Sequence, residues 1–272
     1  MSVVMIRIMA FLMFFLSLTD VFADDNKIFY PRPEADFDER TGFPLTLLQL
    51  VFDHIDKGEK YSLHPTAIKI PRGRVLKLLE ENIVVNIQWT MTSAEREKRS
   101  LAIKFPIYQG YMGWRVFLIK PSAQVFFKTD MLIKDLKNLV AVQAPDWADT
   151  KILKANEFNV IGASSYSQLF NMIKLGRANY FPRSILEVWS EADHFASQGL
   201  VVEENLMFKY PSEMYFFVNK LNVGLAKDIE RGLDLVKSDG TYQLLFETVH
   251  QSMLDRANLN SRRVINLENP LF

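Results

Sequence analysis

The stretch IVVNIQWTMTSAEREKRSLAIKFPIY, residues 83–108, carries the strongest signal for the fold. Residues 83–89 are mostly apolar and rich in β-branched side chains, which predicts a buried strand. The polar residues 93–99 predict a short helix with Ser93 as its N-cap. Residues 101–108 predict a second extended segment. A strand, a helix and a strand in this order are typical of parallel strands joined by crossover helices, and so of an α/β fold.

The turn into this helix combines a hydroxyl, backbone N–H groups and a guanidinium. Ser93 precedes the helix, and Arg96 lies in its first turn. Such groups bind a carboxylate well, because an arginine can donate two parallel hydrogen bonds to it. The alternative is an ordinary capped helix with an arginine on the surface. The spacing leaves both interpretations open, and Ser93 and Arg96 are candidate ligand-binding residues.

The alternation of strands and helices repeats in two blocks. The first covers residues 24–110, and the second, which follows a glycine-containing stretch, covers residues 111–219. Residues 220–272 are mainly helical, and we expect them to pack back on the first block. Each block predicts a lobe with an open, mostly parallel sheet and flanking helices, with a hinge between the lobes. Such proteins bind their ligand between the lobes, at the carboxyl ends of the strands.

The N-terminus differs from the rest of the chain. Arg7 precedes an uncharged apolar run over residues 8–18, and Val21 and Ala23 stand at positions −3 and −1 of a possible cleavage site. These features predict a secretory signal peptide, residues 1–23, with cleavage after Ala23. The apolar run is shorter than the roughly 20 residues that a membrane-spanning helix needs. We therefore expect export to the periplasm, the alternative being a buried N-terminal helix.

The composition excludes several classes of function. The 272 residues include 32 basic and 32 acidic side chains, and a net charge of zero argues against a protein that coats nucleic acid. The sequence has no cysteine, which removes disulfide scaffolds, thiolate catalysis, iron–sulfur clusters and lipid attachment at an N-terminal cysteine. The four histidines are scattered singly, so no metal site is predicted. The common phosphate-binding and nucleophile motifs do not occur. We assign no catalytic residue, metal or other cofactor.

Three passages resemble solute-binding protein family 3, the periplasmic substrate-binding proteins of amino-acid-type ABC transporters. Residues 93–96 and 105–108 occupy the places of the carboxylate clamp in that family, and residues 176–181 match a segment of its second lobe. The resemblance implies the type II periplasmic-binding-protein fold. It also implies a small carboxylate-bearing solute as the ligand.

A closer resemblance is to an uncharacterised Gram-negative branch of transporter substrate-binding-domain proteins. It rests on the order of four passages, residues 147–153, 176–183, 215–219 and 263–270. No single passage is diagnostic. Together they extend the resemblance over nearly all of the chain that follows the predicted cleavage site.

The chain departs from the family pattern at the residues that would hold a ligand ammonium group. Asn179 stands in place of the family's Asp, and the later acidic position falls near Ser184. Glu187 would substitute if its helix faced the ligand. Arg183, together with Arg96, would instead favour an anionic or polycarboxylate solute. The alternative for Arg183 is an exposed arginine at the start of a helix.

Aromatic side chains near the predicted cleft complete the set of candidates. Trp147 begins a second-lobe helix and would stack on the ligand, while Asp149 would hydrogen-bond to it or merely favour the helix dipole. Tyr30, Trp89 and Tyr108 lie near the predicted crossing between the lobes. The alternative for each of these three is packing in the core, because most large aromatic side chains are buried.

The resemblance implies a monomeric periplasmic protein that captures a small solute by hinge closure and presents it to an inner-membrane ABC permease, without enzymatic chemistry. Two alternatives stay open. One is a periplasmic protein that senses a ligand and signals to a membrane partner. The other is a dehydratase-type enzyme on the same fold, which would need an acid in the cleft.

Overall fold

The computed structural model describes residues 26–56 and 61–272. The predicted signal peptide, residues 1–23, lies outside these ranges. Within them, no helix combines the length and the apolar character needed to cross a membrane.

Strands and helices alternate along the described chain. The strands are β1 Lys27–Tyr30, β2 Ser62–Pro65, β3 Ile87–Met91, β4 Leu101–Ile103, β5 Trp114–Ile119, β6 Val140–Gln143, β7 Asn159–Gly162, β8 Phe181–Ser184, β9 Val201–Val202, β10 Leu206–Lys209, β11 Met214–Val218 and β12 Arg263–Asn266. The α-helices are α1 Gly42–Asp56, α2 Arg72–Glu80, α3 Ala94–Arg99, α4 Ile133–Asn138, α5 Ala148–Ala155, α6 Tyr166–Lys174, α7 Val188–Phe195, α8 Val223–Ser238 and α9 Thr241–Ala257. The fold class is α/β, as predicted.

The first lobe contains two sheet segments. β1 and β2 pair in parallel, and β11 lies between β3 and β4 and runs antiparallel to both. The segments meet where the Asn86 N–H donates to the Phe29 carbonyl oxygen at 2.9 Å and the Phe29 N–H donates to Asn86 Oδ1 at 2.8 Å. β11 is thus part of the first-lobe sheet, although the sequence placed residues 214–218 in the second lobe. Strand pairing is decided by register across the sheet, which the order of the chain does not reveal.

The second lobe is built on β12, β10, β5 and β8 in that order, with β9 also paired to β5. β6 and β7 form a parallel pair that meets this sheet through a bridge between Ala141 and Tyr180. β12 is the parallel partner of β10. The end of the chain therefore lies in the second lobe, which corrects the expectation that all of residues 220–272 pack on the first.

The sheets are mixed rather than mostly parallel. β5 runs antiparallel to β8, β9 and β10, and β11 is antiparallel to both of its neighbours. Each of these two strands follows a crossing between the lobes, at residues 104–113 and 210–213. A strand that arrives from the other lobe begins at the cleft, where the parallel strands end, and so it runs in the opposite direction.

The two crossing segments lie side by side. The Tyr210 N–H donates to the Gly113 carbonyl oxygen at 3.1 Å. A Cβ atom on Gly113 would lie 2.0 Å from the carbonyl oxygen of Tyr210, so only glycine fits between the two backbones. This close contact fixes where the lobes join and turns the ends of both sheets toward a common cleft.

Helix α1 buries the face that its apolar periodicity predicts. Leu47, Leu48, Val51 and Phe52 are all buried. Helix α8 packs so closely on α1 that a Cβ atom on Gly232 would lie 2.5 Å from Val51 Cγ1. The two helices are therefore part of one core.

Candidate functional site

A cavity of about 330 Å³ lies between the two lobes, a volume that suits a small molecule. Six of the eight candidate residues line it, namely Trp89, Ser93, Arg96, Trp147, Asp149 and Arg183. Tyr30 and Tyr108 are not part of its lining. Gln88, Arg115 and Glu187 line it as well. Lining residues come from both lobes, so the cavity depends on how the lobes meet.

Ser93 and Arg96 form the cap that their spacing predicts. Ser93 has an extended backbone and its Oγ accepts a hydrogen bond from the Arg96 N–H at 3.2 Å, which begins helix α3. The Arg96 side chain folds back, and its Nη1 donates to the Met91 carbonyl oxygen at 2.5 Å. This places the guanidinium at the cavity rather than on the outer surface.

The Arg96 guanidinium lacks a carboxylate partner. Among the described residues, no carboxylate oxygen lies within 4.0 Å of it. Burial lowers the pKa of Arg96, because the cation is partly removed from water, and the nearest acidic residues, Glu95, Asp149 and Asp146, only oppose this shift. Arg96 thus presents to the cavity a positive charge that has no ion-pair partner among the described residues.

Arg183 lies on strand β8 and is 1% exposed, which excludes the alternative of a surface arginine at a helix start. Its Nε donates to Glu191 Oε2 at 2.7 Å, and its Nη2 lies 2.5 Å from Glu191 Oε1 and 3.0 Å from Glu187 Oε2. Its charge is therefore balanced by neighbouring carboxylates. Of the two arginines that were expected to face the ligand as free cations, Arg96 remains without a carboxylate partner among the described residues, whereas Arg183 is paired.

Arg115 is a site residue that the sequence analysis missed. It lies on β5, is 2% exposed, and its Nη2 lies 2.9 Å from Asp149 Oδ1 while its Nη1 lies 3.3 Å from Glu187 Oε2. Tyr210 donates its hydroxyl hydrogen to the same Asp149 oxygen. The signal was present in the sequence as a lone arginine inside an apolar strand, Trp114–Ile119.

These side chains form one group, which we call the buried charge cluster: Arg115, Asp149, Arg183, Glu187 and Glu191. It contains two guanidiniums and three carboxylates, a formal excess of one negative charge. Burial raises the pKa of Glu187, but the guanidiniums of Arg183 and Arg115 outweigh this effect and lower it below its ordinary value. Glu187 is therefore ionised, and it presents a carboxylate to the cavity from the second lobe.

Trp147 is the N-cap residue of helix α5 and lines the cavity. Cations occupy its ring faces, since Arg183 Cζ lies 5.0 Å and Arg40 Cζ lies 5.3 Å from the ring centroid. Asp149, in the first turn of the same helix, is bonded to Arg115 and Tyr210. Its carboxylate is therefore held within the buried charge cluster by these two contacts.

The three other aromatic candidates differ in position. Trp89 lines the cavity, while Tyr30 packs beside it with ring centroids 6.1 Å apart. Tyr108 is buried in the core, 5.3 Å from the ring of Phe43 and 5.7 Å from that of His250. The core-packing alternative therefore holds for Tyr108, and Tyr30 supports the cavity wall from behind.

A segment of the first lobe reaches across to the second beside the cavity. Phe37 stacks on His194 and Tyr166, with ring centroids 4.5 Å and 5.3 Å apart, and lies edge-on to Phe195 at 5.2 Å. Arg40 Cζ lies 4.0 Å from the Tyr166 ring centroid. We call this contact the Phe37 latch. It joins the lobes through protein groups alone.

No protein-family model matches this chain, and no curated protein matches it. Solved structures do match. A Salmonella typhimurium periplasmic binding protein with high arginine specificity aligns with a TM-score of 0.63 at 14% identity, over 82% of this chain and 99% of that one. An ancestral arginine-binding protein bound to glutamine gives 0.61 at 17% identity, over 82% and 96%. An ancestral amino-acid-binding protein, a precursor of cyclohexadienyl dehydratase, gives 0.59 at 15% identity, over 82% and 94%.

These alignments span almost the whole of each matched structure. Because the sequence identities are low, the matches are evidence for the fold and not for a shared ligand. They agree with the two lobes, the adjacent crossing segments and the cavity between them. The chain therefore has the two-lobed type II periplasmic-binding-protein fold, the fold of solute-binding protein family 3 that the sequence resemblance implied.

Proposed function

We propose that this chain is a periplasmic solute-binding protein that captures a small amino-acid-like zwitterion between its lobes. One observation carries the proposal. A single cavity is lined by an uncompensated guanidinium, Arg96 of the first lobe, and by a carboxylate, Glu187, of a buried charge cluster with excess negative charge in the second lobe. A zwitterion complements both charges at once.

The carboxylate of the solute docks on Arg96 and Ser93. The Arg96 guanidinium has donors to spare after its one bond to Met91. The Ser93 oxygen accepts from the Arg96 backbone, and its own hydroxyl hydrogen can donate to the solute. These two side chains fix the carboxylate on the first lobe.

The ammonium group of the solute faces Glu187. Glu187 is ionised and the cluster behind it carries more carboxylates than guanidiniums, so a cation offsets the excess charge. The expectation of a purely anionic solute rested on Arg183, whose charge is already balanced by Glu191 and Glu187. A zwitterion therefore fits better than a polycarboxylate.

A solute that touches both lobes stabilises their closed arrangement, and a membrane partner recognises that arrangement.

Delivery to an ABC permease is supported by the solved structures that share the fold, because they include substrate-binding proteins of amino acid ABC transporters. Binding rather than dehydratase chemistry is supported by the solved structures that share the fold, most of which are described as binding proteins. The neighbouring genes distinguish sensing from transport. Genes for a histidine kinase or a cyclase would indicate sensing, whereas genes for permease and ATPase subunits would indicate transport.

The test is calorimetry on the protein purified from its periplasm and stripped of bound solute, preceded by native mass spectrometry to weigh whatever co-purifies. We expect one amino acid class to bind and the Arg96→Ala variant to lose that binding. Lys98→Ala is the matched control, since Lys98 is an exposed residue of the same helix. Unchanged affinity in Arg96→Ala would contradict the proposed carboxylate site.

A further inference from the structure

Helix α9 connects the two lobes a third time. After the crossing segments 104–113 and 210–213, the chain returns from the first lobe to the second through α9 and β12, which pairs with β10. α9 is one uninterrupted helix of 17 residues, about 25 Å long, and it contains neither proline nor glycine. A helix bends sharply only where its backbone hydrogen bonds are interrupted, so the two ends of α9 keep a fixed relation to each other.

The N-terminal half of α9 is attached to the first lobe and to the first crossing segment. The Tyr242 hydroxyl donates to the Ile107 carbonyl oxygen at 3.1 Å. The Phe246 ring lies edge-on to Phe43 of α1, with centroids 5.9 Å apart, and stacks on Tyr111 at 6.1 Å. Tyr242 and Phe246 are both buried. This half of the helix therefore moves with the first lobe.

The C-terminal end of α9 is attached to the second lobe. Arg256 donates from Nη1 and Nη2 to the two carboxylate oxygens of Asp193 on α7, at 2.9 Å and 2.8 Å, and its Cζ lies 4.6 Å from the ring centroid of Trp189 on the same helix. Just beyond the helix, Arg262 Nη1 donates to the carbonyl oxygen of Glu203. Any rotation of one lobe relative to the other changes the angle between the two attachments of α9. Such a rotation must bend the helix or break one set of contacts.

The Phe37 latch contacts α7 at the adjoining position. Phe37 stacks on His194, which directly follows Asp193. On the first lobe, the segment that carries the latch is tied to α2, because Arg72 Nε donates to Glu34 Oε1 at 2.7 Å. The latch and α9 thus hold adjacent residues at the C-terminal end of one second-lobe helix.

We propose that α9 is a strut that, together with the Phe37 latch, keeps the lobes closed when no solute is bound. All of these contacts are made between protein groups, so they favour the closed arrangement at every solute concentration. A solute that touches both lobes then adds stability to an arrangement that already predominates, and its entry waits for the release of α7. The proposal concerns the solute-free protein and does not depend on which solute binds.

The experiment measures the distance between the lobes in the mature protein by double electron–electron resonance. The chain has no cysteine, so spin labels attach only at introduced positions. We choose Lys77→Cys on α2 and Lys154→Cys on α5, two exposed sites on helices that border the cavity from opposite lobes. Unfolding, dialysis and refolding remove bound solute, and native mass spectrometry checks that none remains. We expect one narrow distance in this doubly labelled protein.

Three further variants in the labelled protein release the contacts. Arg256→Ala and Asp193→Ala each remove the same attachment of the strut, from opposite sides, and Phe37→Ala opens the latch. Each should raise the ratio of open to closed protein about fivefold, and Phe37→Ala combined with Arg256→Ala should raise it about 25-fold and add a longer distance. Arg231→Ala is the matched control, because this exposed arginine pairs with Asp228 of its own helix. Thermal melts establish that the variants are folded.

Two results would overturn the proposal. A broad or mainly long distance in the solute-free parent protein would show that its lobes rest open. A combined variant with the same distance as its parent would show that these contacts do not hold the lobes. Neither result bears on the calorimetry with amino acids, and a failure of amino acid binding would leave the distance measurement valid, so the two proposals fail separately.

Discussion

The buried Arg183 guanidinium is joined to Glu191 by two hydrogen bonds, from Nε to Oε2 at 2.7 Å and from Nη2 to Oε1 at 2.5 Å. Tyr166 donates its hydroxyl hydrogen to the same carboxylate. Arg183 was expected to contact the ligand as a free cation. Its pairing makes it a structural part of the cavity wall, and this has a measurable consequence for stability.

Replacing Glu191 with Gln should destabilise the protein by about 3 kcal/mol, because the buried guanidinium then keeps only Glu187 as a charged partner. Urea unfolding followed by circular dichroism measures the change. Glu230→Gln, at an exposed position on α8, is the control and should leave the midpoint unchanged. Equal midpoints for the two variants would show that the Arg183–Glu191 pair contributes nothing to stability.

The Phe37 latch should hold the lobes together in the absence of solute. Phe37→Ala removes its ring contacts with His194, Tyr166 and Phe195, and we expect a loss of about 2 kcal/mol in stability together with a larger radius of gyration. Small-angle X-ray scattering of the solute-free protein measures the radius. Phe126→Ala, at an exposed ring, is the control. An unchanged radius would mean that the latch does not restrain the lobes.

Stability should fall in mild acid because of His250. This histidine packs against Phe43 and Phe246 with no hydrogen-bond partner for either ring nitrogen among the described residues, and burial lowers its pKa to about 4. The unfolded chain binds the proton near pH 6.5, so the contribution to stability is intact above that value and is lost as the pH falls toward 4.

The loss amounts to about 3 kcal/mol across that range, taken from the difference between the two pKa values. His250→Leu should remove this part of the pH dependence, whereas His54→Gln, at an exposed position, should retain it. Urea midpoints at pH 7 and pH 4.5 provide the comparison. Identical pH profiles for wild type and His250→Leu would rule out His250 as the cause.

Gly113 should tolerate no side chain. A Cβ atom there would collide with the backbone carbonyl of Tyr210, which cannot rotate away, so Gly113→Ala should cost about 3 kcal/mol or prevent folding. Gly224→Ala provides the matched comparison, since nothing lies within 4 Å of its Cβ position and it lies in helix α8. That variant should be neutral or slightly more stable. Thermal melts of both proteins decide the question, and similar melting temperatures would contradict the close approach of the two crossing segments.

Much of the local structure could be predicted from the sequence. The strand, cap and helix around Ser93 follow from the preferences of neighbouring residues, and so does the apolar face of α1. The order of these elements indicated a two-lobed α/β protein, and the resemblance to solute-binding protein family 3 implied the particular fold. Such features depend on residues a few positions apart, and a single sequence contains that information in full.

Strand partners and charge partners were decided by the tertiary structure alone. β11 pairs with β3 and β4, and β12 with β10, across stretches of chain whose register no local pattern encodes. The sequence identified both Arg96 and Arg183 as candidate ligand-binding cations. In the folded protein, Arg183 is paired with two carboxylates, Glu187 and Glu191, whereas Arg96 has no carboxylate partner among the described residues. The charge that a side chain presents to a ligand depends on what surrounds it in space, because Coulomb and desolvation energies follow distance and burial rather than position along the chain.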